Sequence, residues 1–278
     1  MCKHEYQIPN FKADSNICYL PKIFAEHNIL GTEIPFKLPH DDMDMCLFHS
    51  NQRAFKEKFD LPKVLDRFID YCNEHKFELI DLRGIILDIA DPISLEGKTI
   101  LREINLCKAK ITAPFSIVNC HLHGDVFLDQ AIFTNILSIE DSTFSGNFTA
   151  TGGTVFNKNV HLSNVQFADL FDISHSNFMS QVNFHPVTFN GRTIFDNVAF
   201  RGQRSFIYFK LTSRDTIEFN QTIFDGQVQF ENCVFDGDVI FQDTKFNDPL
   251  YFANPDIGGT VRGMSNVRTE SAAKELVI

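Results

Sequence analysis

A large apolar residue recurs every 11 residues through the C-terminal half of this chain, and that period restricts the folds open to it. One series reads Ile111, Leu122, Phe133, Phe144, Phe156, Phe167, Phe178, Phe189 and Phe200, then resumes at Phe224, Phe235, Phe246 and Ile257. A second series lies five residues earlier, at Leu106, Ile117, Leu128, Ile139, Leu162, Ile173, Phe184, Phe195, Phe219, Phe230, Phe241 and Phe252. The steps therefore alternate between five and six residues. Two positions before each member of the first series up to Phe246 stands a small or β-branched residue: Ala109, Cys120, Ala131, Ser142, Thr154, Val165, Ser176, Val187, Val198, Thr222, Cys233 and Thr244. The second series has Val126, Val160, Val182, Val228 and Val239 at the same offset. In extended chain, side chains two apart point the same way, so both members of each pair face inward. The residues between them are Asp, Asn, Gln, Gly and Thr, which face water and turn the chain.

A unit this short cannot bury its own inward side chains; stacked copies can. The composition agrees, with 30 Phe and no Trp among 278 residues. The stretch Thr222-Ile-Phe-Asp-Gly-Gln-Val-Gln-Phe-Glu-Asn-Cys-Val-Phe-Asp-Gly-Asp-Val-Ile-Phe resembles the pentapeptide-repeat family, in the variant with alternating five- and six-residue steps. That resemblance implies an all-β solenoid, a right-handed quadrilateral β-helix over residues 104–257. At two 11-residue units per coil, it implies about seven coils, each rising ~4.8 Å.

The frame breaks twice. Phe144 to Phe156 spans one extra residue and contains Gly152-Gly153. Phe200 to Phe224 spans two extra residues. The second break carries Arg201, Arg204, Lys210 and Arg214 beside Phe206, Tyr208 and Phe209. It reads either as a distorted coil with a solvated turn or as a projecting binding loop. Arg201, Arg204, Tyr208, Lys210 and Arg214 are its candidate binding residues.

Residues 57–103 lack the repeat and read as a helical cap followed by an entry strand. Residues 60–75 predict a helix capped by Asp60, with Pro62 in its first turn and Val64, Leu65, Phe68, Ile69 and Cys72 on one face. Ile80 to Leu87 then leads into the solenoid. Residues 258–278, beginning with Gly258-Gly259, read as a C-terminal cap or tail, with a short helix over Thr269 to Ile278.

Residues 1–56 form a Cys/His-containing head. Cys2, Cys18, Cys46 and His49 fall within its first fifty residues. Cys46-Leu-Phe-His49 is a C-x2-H pair, which lets two ligands converge on one ion, and three cysteines with one histidine are a common closed zinc set. Ordinary buried cysteines are the competing reading of the spacing. The ending Cys46-Leu-Phe-His49 also resembles the Cys…Cys…Cys-Ile-Phe-His opening of some proteins of this variant. That likeness implies Cys2, Cys18, Cys46 and His49 as ligands of a structural zinc, with His4 replacing or joining Cys2. Cys72, Cys120 and Cys233 belong to apolar positions, while Cys107 is expected to point outward.

The function classes narrow by exclusion. No phosphate-binding loop or nucleophile motif is present, and a regular convex rod offers few concave pockets, so no enzyme is expected. His121 and His123 flank inward Leu122 and are expected to face solvent. The net charge of −11 disfavours nucleic acid and anionic lipid as partners. No apolar run reaches the ~18 residues that span a bilayer, and an odd number of cysteines without a secretion signal reads as a reducing, cytoplasmic compartment. The expected activity is that of a scaffold presenting a rigid β-helical face to a protein partner; a homodimer is compatible with this. The alternative is an acidic DNA mimic that binds a topoisomerase such as DNA gyrase, as quinolone-resistance proteins of similar fold do. Asp225, Asp236, Asp238 and Asp243 are its candidate contacts, placed on turns with Asp248 to form at least two acidic edges.

Overall fold

The computed structural model describes residues 40–202 and 206–263. They form a β-solenoid of about eight turns with parallel sheets, headed by two short helices. Four faces follow one another around each coil. Face I is a nine-stranded sheet running from Leu79–Asp81 to Val261–Arg262, and face II an eight-stranded sheet from Ile86–Leu87 to Lys245–Phe246. Faces III and IV join in a 14-stranded sheet, with Ile93–Glu96 the first strand of III and Thr99–Ile100 the first of IV. Every pairing between named strands is parallel, which in a single coil direction is what stacking requires.

The two apolar series fill the interior as expected. Phe133, Phe144, Phe156, Phe167, Phe178, Phe189, Phe200, Phe224 and Phe235 are buried, as are Phe184, Phe195, Phe219, Phe230 and Phe241. Six rings make one continuous stack through face II. Phe133, Phe156, Phe178, Phe200, Phe224 and Phe246 have successive centroids 5.3, 4.7, 5.0, 4.8 and 4.9 Å apart, with interplanar angles of at most 17°. That spacing matches the strand-to-strand distance of a sheet, so one flat ring per coil fits without a gap. The small-residue offset of the second series is less restrictive than the valines suggest. Phe115, Leu137, Phe148 and Phe171 occupy the same inward column as Val126 and Val160.

The alternation of five and six is a property of the corners. The five-residue steps turn tightly through one left-handed residue. Between faces I and II these are Lys108, Gln130, His175, Asn197, Gln221 and Asp243, all with φ of 53–61°. Between faces III and IV they are Gly97, Asn119, Asp141, Asn164, Asn232 and Asn254. Asn and Asp tolerate this conformation better than most side chains. Each tight corner leaves a carbonyl to satisfy, and the small column supplies donors. The Thr154 hydroxyl donates to the Leu128 carbonyl at 3.0 Å, and the Cys233 thiol to that of Phe209 at 3.2 Å. Ser176 and Thr222 donate likewise to Ala150 and Phe195. Those positions are small because of room, and at these four the side chain also serves the turn.

Both frame breaks follow from corner chemistry. The residue inserted before Phe156 falls in a tight corner, where Gly152 and Gly153 both adopt positive φ, 65° and 97°. At the next irregularity Pro186 takes the place of the left-handed residue. Its ring fixes φ near −65°, the turn cannot form, and Val182–Phe189 runs unbroken across faces III and IV. The following strand, Phe206–Ser213, does the same. Its pairing with Val182–Phe189 is shifted between Phe184 and Val187, where one residue is missing. Three extra residues before Ile207 and this one deletion together give the surplus of two. The segment 206–213 is thus wall and not a projecting loop. Ile207, Phe209, Leu211 and Ser213 point inward.

The ladder extends beyond 104–257 at both ends. Leu79–Asp81 already pairs with Glu103–Asn105, and Ile86–Leu87 with Lys110–Ile111, so the predicted entry strand is the first coil. Ile and Leu replace Phe there, which weakens the periodic signal. Gly258-Gly259 does not end the rod either, because Val261–Arg262 pairs with Val239–Ile240. Gly259 occupies a wide corner, where a Cβ would lie 2.2 Å from the Gly237 carbonyl oxygen; only glycine lets the coils close. Residues 269–278 lie outside the described residues.

Helices α1 (Arg53–Lys56) and α2 (Leu61–Glu74) precede the first coil. Asp60 caps α2 by accepting from the Lys63 N–H at 3.2 Å, and Leu61, Val64, Leu65, Phe68, Ile69 and Cys72 are buried. The apolar face rests on the strands Leu79–Asp81 and Ile93–Glu96. Lys98 of the first coil reaches back to Asp66 and Asp70 at 2.8 and 2.6 Å.

The ring stack makes a quantitative expectation. Phe200→Ala removes one member from the middle of a column and is expected to cost about 3–5 kcal/mol. Asp225→Ala, at a half-buried corner with its side chain outside the core, is expected to cost well under ~1 kcal/mol. Denaturant unfolding of the two variants checks the difference, and equal losses would contradict the frame.

Candidate metal centre

The described part of the head, residues 40–56, lies against the N-terminal edge of the solenoid. Residues Cys46 to Ser50 make a tight turn in which the His49 and Ser50 N–H groups both donate to the Cys46 carbonyl, at 2.9 and 2.8 Å. Asp41 braces it, accepting from the Met43 and Met45 N–H groups at 2.9 Å each and from the Ser50 hydroxyl at 2.5 Å. Cys46, Leu47, Phe48 and His49 are all buried.

The turn points the two predicted ligands at one another. Cys46 Sγ and His49 Nδ1 are 3.2 Å apart. His49 Nε2 lies 3.1 Å from the Arg83 carbonyl oxygen. A carbonyl can only accept, so Nε2 carries the proton, and in the neutral ring Nδ1 keeps a lone pair facing the sulfur. Metal-bound histidines are commonly oriented by such a bond from the second ring nitrogen. A thiolate and an imidazole nitrogen converging from one short turn are half of a tetrahedral zinc set, so the residues present fit the ion. Cys2 and Cys18, with His4, lie outside the described residues. Among the described residues no three metal-binding side chains come together.

Burial raises the pKa of the other described thiols. Burial pushes the Cys72 thiol up to about 12 and the Cys233 thiol up to about 11. Burial, aided by the Asp129 carboxylate, pushes Cys107 up to about 12. Cys107 is half-buried, with Sγ 3.8 Å from Asp129 Oδ2, while Cys120 and Cys233 are fully enclosed. His121 and His123 face solvent on either side of buried Leu122.

The predicted binding residues do not form one cluster. Arg204 lies outside the described residues, and Arg201 is exposed where face II ends. Tyr208, Lys210 and Arg214 stand on the outer side of the strand Phe206–Ser213 or just past its end. The Tyr208 hydroxyl donates to Glu231 Oε2 at 3.1 Å, and its ring centroid is 5.4 Å from that of His185. Arg214 pairs with Asp236 at 2.5 Å, and Arg262 with Asp238 at 2.9 Å. Thr260 donates its N–H and hydroxyl to Asp238, at 2.9 and 2.8 Å, holding that carboxyl below its usual range. Asp225 accepts from Asn247, 22 residues on, at 2.7 Å at the corner of faces II and III. Asp236 sits at the opposite corner, between IV and I, and Asp243 is the left-handed residue between I and II. Two carboxylates that sequence had singled out are thus paired with arginines from neighbouring coils, a relation set by stacking. Sequence reasoning also missed Lys56, a lysine with no exposed surface whose Nζ donates to the carbonyls of Phe48, at 3.5 Å, and Ile86. A lone lysine before a helix gives no signal of burial.

Four short faces per coil, parallel ladders and stacked inward rings define a repetitive β-solenoid. Within that class, residues 219–262 match the family described as Pentapeptide repeats (9 copies), and the same coil geometry continues back to residue 79. No curated protein and no solved structure matches the chain.

Raised thiol pKa values predict poor reactivity. At pH 8 Cys72, Cys107 and Cys233 hold very little thiolate, the reactive form. Native-state labelling followed by peptide mapping is expected to leave all three unmodified, with labelling of half-buried Cys107 rising only as pH climbs towards 12.

Proposed function

We propose that the protein is a non-catalytic binding scaffold, fastened at its N-terminal end by a structural zinc ion, that offers faces III and IV to a protein partner. The observation that carries this reading is the unbroken pair of strands Val182–Phe189 and Phe206–Ser213. Losing the corner turns two narrow faces into one broad one. Standard protein interfaces bury about 800 Å² per partner, more than a two-residue strand face offers. The outer side of this area presents His185, Tyr208, Lys210 and Thr212, a mixture of aromatic, basic and polar groups suited to a protein surface. Catalysis has no support in a convex wall whose ionisable groups are largely engaged with one another.

The alternative of a DNA mimic requires free carboxylates in two rows across one face. Asp225, Asp236 and Asp243 stand at three different corners, and Asp236 and Asp238 are partly neutralised by Arg214 and Arg262. This arrangement supports the scaffold reading over the mimic. For the head, the inward-facing Nδ1 of His49 beside Cys46 supports zinc, with Cys2 and Cys18 completing the set. A closed four-ligand shell stabilises folding and leaves no position for substrate.

Two outcomes follow. Tyr208→Ala with Lys210→Glu is expected to weaken a partner captured by the wild type at least tenfold, with thermal stability within about 1 kcal/mol of wild type. The purified protein is expected to leave gyrase supercoiling unaffected, whereas inhibition would favour the mimic. The purified chain is also expected to hold about one zinc ion. Cys46→Ser is expected to lose it and Cys233→Ser to keep it, as read by elemental analysis.

A further inference from the structure

Exposed apolar side chains are concentrated along one edge of the rod. Six large apolar residues are exposed among the described residues, and four of them lie on face II or at its corner with face III. These are Ile132, Ile136, Met179 and Phe206, each 40–44% exposed. Ile132 belongs to an outward ladder that continues through Val155, Asn177, Ala199 and Ile223, one residue per coil. Four of those five are apolar, although their side chains point away from the core. A contiguous apolar strip on an outer wall marks a surface that another molecule covers.

The same edge is cationic. Lys110 precedes Ile132 in the ladder, and Lys245 follows Ile223. Lys158 and Arg201 stand at the corner of faces II and III, with Arg201 one coil beyond Met179. All four cations are exposed, and none forms an ion pair among the described residues. The carboxylates of this edge already serve donors: Asp88 accepts from the Thr112 hydroxyl at 2.9 Å, and Asp225 from Asn247 at 2.7 Å. In a chain of net charge −11, a row of unpaired cations beside apolar residues runs against the overall composition.

The spacing fits a helix. With coils rising ~4.8 Å, Met179 lies about 10 Å along the axis from Ile132, and Ile223 about 19 Å from it. Seven residues of α-helix rise ~10.5 Å, and thirteen rise ~19.5 Å. A helix laid along the rod axis therefore brings residues seven apart, which share one face, over the apolar positions of every second coil. Lys158 and Arg201 then lie along its flank, and Lys110 and Lys245 beyond its ends. Acidic side chains on the flanks of that helix would meet these cations. An anionic membrane is the poorer match, because the remaining acidic surface of the rod is repelled by it.

We propose that face II and its corner with face III dock an acidic amphipathic helix of a protein partner, laid along the rod axis. This surface adjoins the merged faces III and IV but depends neither on them nor on the zinc reading of the head.

The test uses the full chain and a labelled helical peptide of about 15 residues, with leucines on one face and glutamates on its flanks. A twin peptide carries lysine in place of every glutamate. Fluorescence anisotropy is expected to show binding of the acidic peptide, weakening with added salt, and at least about tenfold weaker binding of the twin. Arg201→Glu with Lys245→Glu is expected to weaken the acidic peptide at least about tenfold, as is Ile132→Thr with Met179→Asn, each with a wild-type unfolding midpoint. Lys58→Glu with Lys63→Glu, which reverses two exposed charges on the head, is expected to leave binding unchanged. If the Ile132 and Met179 variant does not fold, Ile136→Thr is read in its place. No binding of the acidic peptide, equal affinity for both peptides, or an equal loss in the head variant overturns the proposal. Vesicles rich in phosphatidylserine that displace the peptide, and whose binding is lost in the same face II variants, overturn it in favour of a lipid surface.

Discussion

Contact between successive coils is the interaction on which everything else here depends. No coil encloses its own apolar residues, and no strand of two residues is stable alone. Each is held by main-chain bonds to the coils on either side and by rings stacked about 5 Å apart. A buried Phe contributes roughly 1.5–3 kcal/mol by leaving water, and a flat ring brings little rotamer entropy to lose. The same logic makes the ends weak points. At the C-terminal end Phe246, Phe252, Ile257 and Val261 are only partly buried among the described residues. At the N-terminal end α2 covers faces I and III, and the Cys46–Ser50 turn covers face II.

The corners set how this regular stack departs from regularity. A tight corner demands one left-handed residue, and at several corners the side chain two positions before the next inward ring satisfies the displaced carbonyl. Where the sequence supplies one residue that takes the left-handed conformation, most often Asn or Asp, the corner forms. Where it inserts a residue, two glycines absorb it. Where it supplies Pro186, the corner is lost and two faces merge. The broad outer face of Val182–Phe189 is therefore the local consequence of one fixed dihedral angle.

The head couples differently to the rod. Its described residues contain a buried His, a buried Cys and a buried Lys within eleven positions of one another. Buried polar groups of this density need partners. The Arg83 carbonyl, the Phe48 and Ile86 carbonyls and the Asp41 carboxylate supply some of them.

The sequence alone determined the solenoid, the inward columns and the helix at 61–74, because a period of 11 and a capped apolar stripe are local signals. It also singled out Cys46 and His49 through their spacing. It did not reveal that residues 79–103 already form a coil, since Ile and Leu there lack the Phe signature. It left open whether 201–215 projects, because the one-residue deletion that removes its corner shows only against the register of the strand one coil away. The pairing of Arg214 with Asp236 and of Arg262 with Asp238, and the enclosure of Lys56, were likewise decided only by tertiary structure. Each joins residues separated by one coil or by the head–rod junction, and a charge carries no mark in sequence of the partner that stacking will bring to it.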